Sequence, residues 1–232
     1  MDNLKNKVAI ITGGNSGIGY ATAKQLKEQD ATVIITGRRK EAIEKEASDL
    51  AVTAIVADQS SISDIGNLAS KIKEDFGQID ILFINSGIAG LANIEQATEK
   101  LFDSIINVNF KGASVVFLSS NTATMPGPGS SIYSSSKTAF NSVMRSAALE
   151  LAPRKIRVNS VSPGPTETEV MNKVGLDTTT VKSIMEVAIE KVPLKQMGAS
   201  KDVAKMVAYL SSEAAKFITG ADFIIDGGMV LA

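Results

Sequence analysis

The chain has 232 residues with 24 basic and 25 acidic side chains, a net charge of −1, and it contains no histidine and no cysteine. The length suits one α/β domain, and the balanced charge argues against the basic patch of a nucleic-acid-binding protein. The missing histidines and cysteines exclude the commonest proton shuttle, a thiol nucleophile and a disulfide scaffold, and no metal site is predicted.

Short, almost entirely apolar runs alternate with amphipathic helical segments, such as Ser63–Phe76 and Lys137–Leu151, along the whole chain. Such runs are typical of strands covered on both faces. We therefore expect an α/β fold in one domain spanning residues 1–232: a doubly wound (Rossmann), mostly parallel, seven-stranded sheet with helices on both faces. The predicted strands are Val8–Thr12, Thr32–Thr36, Thr53–Ala57, Asp80–Asn85, Ser114–Ser119, Ile156–Val161 and Asp222–Ile225.

A glycine-rich loop, Thr-Gly-Gly-Asn-Ser-Gly-Ile-Gly over residues 12–19, follows the first predicted strand and leads into a helix. Glycines let the backbone approach a pyrophosphate closely, and the helix N-terminus favours its negative charge. The loop therefore predicts a dinucleotide site, with a plain strand-to-helix turn as the alternative. The residues predicted to bind the cofactor here are Gly13, Asn15, Ser16, Gly17, Ile18 and Gly19.

The end of the second predicted strand indicates which dinucleotide is bound. It reads Thr-Gly-Arg-Arg over residues 36–39, and the first carboxylate after it is Glu41. NAD sites usually place a carboxylate at this point to bind the ribose, whereas arginine suits the 2′-phosphate of NADP. Arg38 and Arg39 therefore favour NADP(H), with NAD(H) possible. Two solvated arginines at the start of a helix are the simpler alternative.

Tyr133 and Lys137 are four residues apart at the start of a predicted helix, and Ser120 lies thirteen residues before Tyr133. Side chains with this spacing share one helix face, about 5–6 Å apart at Cβ. A nearby ammonium is expected to lower the pKa of a phenol, which suits a tyrosine acid or base. A second such pair, Tyr20 and Lys24, is interpreted as part of a solvated helix.

In their order along the chain, these motifs resemble the short-chain dehydrogenase/reductase family. Further matches are Asp58 at the end of the third strand, Asn85-Ser86-Gly87 after the fourth, and Asn109 before the fifth. Pro163-Gly164 with Thr166 and Thr168 resembles the loop on the nicotinamide side, and residues 226–228, Asp-Gly-Gly, match the terminal motif. The resemblance implies that Asp58, Asn85, Gly87, Tyr133, Lys137, Pro163, Gly164, Thr166 and Thr168 contact the cofactor.

The resemblance also implies an NADP(H)-dependent oxidoreductase that transfers a hydride between nicotinamide and a ketone or secondary alcohol. Asn109, Ser120, Tyr133 and Lys137 would form the catalytic set, with Ser120 orienting the substrate oxygen and Tyr133 exchanging a proton with it. Lys137 would lower the pKa of Tyr133 and bind the nicotinamide ribose, while Asn109 would hold a water. A non-catalytic NAD(P)-binding sensor or scaffold is the alternative.

The chain departs from the family between Gly112 and the fifth predicted strand. Family members usually continue for roughly fifteen more residues here, although the segment Thr98–Lys111 alone satisfies the minimum length of a crossover. Either a real deletion has shortened the crossover, or a mobile segment is absent from the sequence. The second interpretation is favoured because the flanking motifs are intact.

Residues 169–193 are predicted to form a lid over a small carbonyl or alcohol substrate. Apolar side chains available to line a pocket, or alternatively to pack on the domain, are Met125, Ile132, Val170, Met171, Val174, Ile184 and Met185. The balanced charge predicts no nucleic-acid partner, and no membrane partner is expected because no apolar stretch reaches about 18 residues. The same features predict a cytoplasmic protein. The resemblance implies a homo-oligomer, a dimer or tetramer.

Overall fold

The structure, a computed structural model, describes residues 3–59, 61–85, 110–168 and 178–232. Its strands are β1 Val8–Thr12, β2 Thr32–Gly37, β3 Thr53–Val56, β4 Ile79–Ile84, β5 Phe110–Leu118, β6 Arg157–Pro163, β7 Thr166–Glu167, β8 Gly198–Ala199 and β9 Asp222–Ile225. Its α-helices are α1 Gly17–Lys27, α2 Lys40–Leu50, α3 Ile62–Phe76, α4 Ser131–Leu151, α5 Thr178–Lys191 and α6 Ser200–Ser211.

Seven strands form one sheet in the order β3-β2-β1-β4-β5-β6-β9, and each pairing is parallel. The order reverses between β1 and β4, because the chain first builds outward through β2 and β3 and then returns to the other side of β1. In such sheets ligands bind beyond the carboxyl ends of the strands at this reversal. The predicted doubly wound fold is confirmed.

The apolar residues of the strands form two cores because successive side chains point to opposite faces of a sheet. On one face Ile11, Ile35 and Phe83 are buried under α1 and α6, which pack against each other. On the other face Ile10 and Phe117 belong to the core that includes residues of α3 and α4. The two cores hold the helices on both faces of the sheet, so that their first turns lie at the carboxyl ends of the strands.

The predicted strand boundaries agree with the structure to within one or two residues, except for β5. This strand begins at Phe110, four residues before the predicted Ser114, so Phe110 and Lys111, the last residues of the expected crossover segment, belong to the strand. The pairing of β4 with β5 is irregular at that end, passing from Ile79 opposite Phe110 to Ile81 opposite Ser114. The rest of the expected crossover segment, residues 98–109, lies outside the described residues.

The predicted lid at residues 169–193 is described only from residue 178, where α5 begins. In the parts of the chain that the structure describes, no helix is long and apolar enough to cross a membrane.

Candidate active site

The glycine-rich loop after β1 is fixed to the end of β4 by Asn85. Its side-chain Nδ2 donates to the carbonyl oxygens of Thr12, at 2.9 Å, and of Gly13, at 3.1 Å. Its backbone N–H donates to Oγ1 of Thr12 at 2.9 Å. Asn85 therefore contributes three hydrogen bonds that hold the loop at the point where the strand order reverses.

The loop has the shape that a pyrophosphate requires. Gly17 has φ +54°, and a Cβ atom at Gly19 would lie 2.3 Å from the Gly13 carbonyl oxygen. Ser16 is the N-cap of α1, and its side chain makes no capping hydrogen bond. The first N–H groups of a helix have no intrahelical partner, so the start of α1 presents free donors to an anion. This part of the structure fits the predicted cofactor.

Arg38 and Arg39 are exposed just beyond β2, with Arg39 as the N-cap of α2. Neither forms an ion pair with another described residue. Gly37 lies next to Asn15 of the loop, whose Oδ1 would be 3.5 Å from a Cβ at position 37. Asp58 follows β3 at the same edge, where its N–H donates to Oδ2 of Asp64 at 3.0 Å. Both arginines are thus available to a phosphate.

The loop after β6 approaches the glycine-rich loop from the other side. A Cβ atom at Gly17 would lie 3.5 Å from the side chain of Thr168. Thr166 stabilises the turn because its Oγ1 donates to the Gly164 carbonyl oxygen at 2.9 Å. Gly164, which follows Pro163 at the end of β6, is packed so tightly that a Cβ there would lie 2.5 Å from Cβ of Asp226.

Ser120, Tyr133 and Lys137 meet beyond the carboxyl end of β5. Ser120 is 8% exposed and forms a side-chain hydrogen bond with Tyr133 in the first turn of α4. Lys137 Nζ lies 5.8 Å from the centre of the Tyr133 ring and donates to the Leu118 carbonyl oxygen at 2.9 Å. The spacing in the sequence therefore corresponds to a compact cluster of two hydroxyls and an ammonium.

The expected lowering of the Tyr133 pKa is not what the structure shows. Burial raises the pKa of this phenol above its ordinary value of 10.0, although the hydrogen bond with Ser120 offsets part of the rise. Burial also lowers the pKa of Lys137 from 10.5 to about 8. Spacing on a helix does not reveal burial, which is why the expectation was wrong in sign.

The comparisons with known proteins agree with this geometry. A family model described as enoyl-(acyl carrier protein) reductase matches residues 13–230. Human dehydrogenase/reductase SDR family member 4 is 32% identical over 250 residues, covering 98% of this chain and 88% of that protein. The chain belongs to the short-chain dehydrogenase/reductase family. It is therefore an NAD(P)-dependent oxidoreductase, which argues against the alternative of a non-catalytic sensor or scaffold.

Other members of the short-chain dehydrogenase/reductase family match over similar lengths. The 3-oxoacyl-[acyl-carrier-protein] reductase FabG of Thermotoga maritima is 33% identical over 250 residues, covering 98% of this chain and 99% of that protein. A Brucella melitensis structure of a short-chain dehydrogenase/reductase (SDR:glucose/ribitol dehydrogenase) superposes with a TM-score of 0.87 at 28% identity, covering 99% of both chains. Fold and family thus agree over nearly the whole chain.

The short-chain dehydrogenase/reductase relatives have positions that this chain lacks. The matches to the human and Thermotoga proteins each run over 250 residues, at least 18 more than the 232 residues of this chain. A crossover shortened by roughly fifteen residues accounts for most of such a difference. Both interpretations of that shortening, a real deletion or an absent segment, stay open.

The structure brings together most of the residues predicted from sequence. Gly87 and Asn109 lie outside the described residues. Tyr20 and Lys24 lie in α1 beside the pyrophosphate loop, and Lys24 is exposed, so this pair is separate from the Ser120 cluster.

The sequence interpretation missed polar residues that support the site. Asn121, directly after Ser120, places its Nδ2 3.4 Å from Oδ2 of Asp226. Its hydrogen bond links the Ser120 turn to the terminal Asp-Gly-Gly motif. A signal was present in the sequence, since Asn121 and Thr122 adjoin a predicted catalytic residue at a strand end.

A second missed group joins α4 to β6 and β9. Asp222 accepts hydrogen bonds from Oγ of Ser160 and Oγ of Ser162, each at 2.7 Å, and from Nδ2 of Asn141 at 3.0 Å. Asn141 lies four residues after Lys137 on the same helix face. This polar residue in an otherwise apolar stripe was the available signal.

Proposed function

We propose that this enzyme reduces a ketone to a secondary alcohol with NADPH, with Tyr133 as the proton donor. The observation that carries the proposal is the hydrogen-bonded pair of Ser120 and Tyr133 with the Lys137 ammonium beside it. In a chain without histidine or cysteine, this cluster supplies the acid–base group and its electrostatic partner.

The chain's own residues act on the carbonyl oxygen. Ser120 donates a hydrogen bond to that oxygen and orients it, and Tyr133 then transfers its proton to the oxygen as negative charge develops there. A phenol with the ordinary pKa of 10.0 already holds its proton at neutral pH, and burial, which raises the pKa of Tyr133, keeps it in this protonated form. Tyr133 can therefore act as the proton donor that the reduction of a ketone needs.

Lys137 supplies positive charge next to Tyr133. With its pKa lowered to about 8, it remains mostly an ammonium at pH 7 and stabilises the phenolate left after proton transfer. We further propose that Lys137 binds the nicotinamide ribose and that Asn109 holds a water beside it, as the family resemblance implies.

The cofactor supplies the hydride when bound, and the protein fixes its position. The pyrophosphate would lie against the loop from Gly13 to Gly19 and the start of α1, and Asp58 would bind the adenine. Asn85 and Gly87, together with Pro163, Gly164, Thr166 and Thr168, would contact the nicotinamide half. Arg38 and Arg39 would bind the 2′-phosphate, which is the basis for proposing NADP(H).

The remaining proposals concern the whole protein. Seven of the nine described strands share one sheet, which supports a single domain over residues 1–232 with a substrate lid at 169–193. The protein would act on a small carbonyl or alcohol in the cytoplasm and would form a homodimer or homotetramer, as the resemblance implies.

Replacing Tyr133 tests the catalytic proposal. Tyr133→Phe removes the proton donor but keeps the ring, so turnover of a ketone panel with NADPH should fall about 100- to 10,000-fold. The dissociation constant of NADPH, followed by nicotinamide fluorescence, should stay within about threefold of the wild-type value, since only one contact is lost. Undiminished turnover in this variant would refute the assignment.

Replacing the two arginines tests the cofactor preference. Wild-type protein should bind NADPH more tightly than NADH, and Arg38→Ala/Arg39→Ala should weaken NADPH binding about tenfold or more, because charge-assisted hydrogen bonds to the 2′-phosphate are lost. NADH binding should change little. Lys40→Ala is the matched control, since Lys40 is a neighbouring exposed cation that pairs with Glu44 at 3.9 Å. Equal affinity for both cofactors in the wild type would contradict the proposal.

A further inference from the structure

The hydroxyl of Ser120 receives two hydrogen bonds from a single residue. Thr122 donates its backbone N–H to Ser120 Oγ at 3.3 Å and its side-chain Oγ1–H to the same atom at 3.0 Å. Both contacts arise because Ser120 is the N-cap of a short 3₁₀ turn, Asn121–Ala123, at the end of β5. Thr122 is partly buried beside the 8%-exposed Ser120.

These two hydrogen bonds determine which further hydrogen bonds the Ser120 hydroxyl can form. A hydroxyl has one hydrogen to donate and two lone pairs that accept. With both lone pairs engaged by Thr122, the remaining capacity of Ser120 is its own O–H. The side-chain partner on that side is Tyr133, so the hydrogen points to the phenol oxygen, or to a substrate oxygen bound between them.

We propose that Thr122 is a positioning residue that forces Ser120 to act as a hydrogen-bond donor toward the reacting oxygens. Without the Thr122 hydroxyl, Ser120 Oγ has a free lone pair and can accept a hydrogen bond from the O–H of Tyr133. That arrangement stabilises the neutral phenol and directs its proton away from the substrate. With Thr122 present, the single hydrogen of Ser120 stabilises the phenolate in the free enzyme, or the substrate oxygen on which charge develops when a substrate is bound.

The inference rests on the proposed roles of Ser120 and Tyr133, but it can be tested without turnover. The chain has three tyrosines, so Tyr20→Phe/Tyr209→Phe leaves Tyr133 as the only phenol to titrate. In this background we expect Thr122→Val to raise the pKa of Tyr133, measured by ultraviolet difference absorbance. Thr122→Ser keeps the hydroxyl and should titrate like the parent. Circular dichroism over the same pH range verifies that each variant stays folded.

Kinetics supply the second measurement. With a ketone that the wild type reduces, Thr122→Val should lower kcat about three- to tenfold, the rate equivalent of one hydrogen bond, with little change in the dissociation constant of NADPH. Thr122→Ser should restore kcat. Thr124→Val is the matched control, because Thr124 is exposed at the end of the same turn and should behave as wild type.

The outcomes separate the two proposals. If Thr122→Val titrates like Thr122→Ser and the parent, Thr122 does not set the hydrogen direction, whatever the activity. If the titration shifts as expected but Tyr133→Phe keeps full turnover, the positioning effect stands and the catalytic assignment fails. In a Ser120→Ala background, Thr122→Val should produce no further shift, and an additional shift there would also overturn the inference.

Discussion

Gly19 shows how a single residue shapes the cofactor site. A Cβ atom there would lie 2.3 Å from the Gly13 carbonyl oxygen and 2.5 Å from Nδ2 of Asn85. Gly19→Ala should therefore displace the loop, lower the free energy of unfolding by about 1–3 kcal/mol and weaken NADPH binding strongly. Chemical denaturation and nicotinamide fluorescence measure the two effects.

Gly66 is the matched control for this prediction. It lies within α3, and a Cβ atom there would meet nothing within 4 Å. Gly66→Ala should raise the free energy of unfolding by about 0.5–1 kcal/mol, because alanine restricts the unfolded chain and favours helix, and cofactor binding should not change. Unaltered NADPH binding in Gly19→Ala would show that the loop adapts and would contradict the close-approach argument.

At the residue scale, the sequence predicted which residues form the site better than it predicted how deeply each of them is buried. Ser120, Tyr133 and Lys137 lie together as their order suggested, because positions at strand ends and on one helix face follow from periodicity. The Tyr133 pKa moves in the opposite direction from the expectation because burial, which raises it, outweighs the hydrogen bond with Ser120, which lowers it. Burial depends on how α4 packs onto β5, and no local pattern encodes that.

At the scale of the element, α4 is attached to the sheet through a lysine. Lys137 Nζ donates to the Leu118 carbonyl oxygen of β5 while its pKa is lowered by burial to about 8. The unfolded chain keeps this proton up to its ordinary pKa of 10.5, whereas the folded chain loses it near 8. The stabilisation associated with this group is therefore complete above pH 10.5 and is lost as the pH falls through 8.

Lys137→Met removes this titration and tests the argument. The free energy of unfolding of the wild type, minus that of Lys137→Met, should increase between pH 8 and 10 by on the order of 1–2 kcal/mol, allowing for partial exposure of the side chain. Denaturant unfolding at a series of pH values measures the difference. The measurement ends at pH 10 because the Tyr133 phenol affects the free energy of unfolding above this pH. Its pKa is raised in the folded chain, so its titration lowers stability as the pH rises, whereas that of Lys137 increases it. A difference that does not depend on pH would contradict the lowered pKa.

The element whose boundary the sequence predicted least well is β5. Phe110, Lys111 and Gly112 carry no periodicity that distinguishes strand from helix, so the prediction placed the strand at the clear apolar run from Ser114. In the structure the strand starts at Phe110 and enters the sheet through the irregular pairing with β4. A strand that begins at Phe110 leaves less chain for the crossover from β4 to β5. This constraint comes from the topology of the sheet and cannot be recognised in a short stretch of sequence.

At the scale of the whole molecule, the alternation of strands and helices was enough to predict a parallel sheet with helices on both faces. The seven predicted strands are the seven of the main sheet. The central strands are buried and have the apolar composition typical of parallel strands covered on both faces. The two-residue pairing of β7 with β8 was not predicted, because two residues carry no pattern. It links the loop after β6 to the start of α6.

The carboxylate of Asp222 determines how substitutions of the residues around it combine. It accepts hydrogen bonds from Asn141, Ser160 and Ser162, which belong to two other elements. Removing the carboxylate alone leaves three donors without their acceptor. Replacing Asp222 and all three donor side chains by apolar ones leaves no donor unpaired. Substitutions here are therefore strongly non-additive, and a chimera with a relative should exchange α4, β6 and β9 as one block.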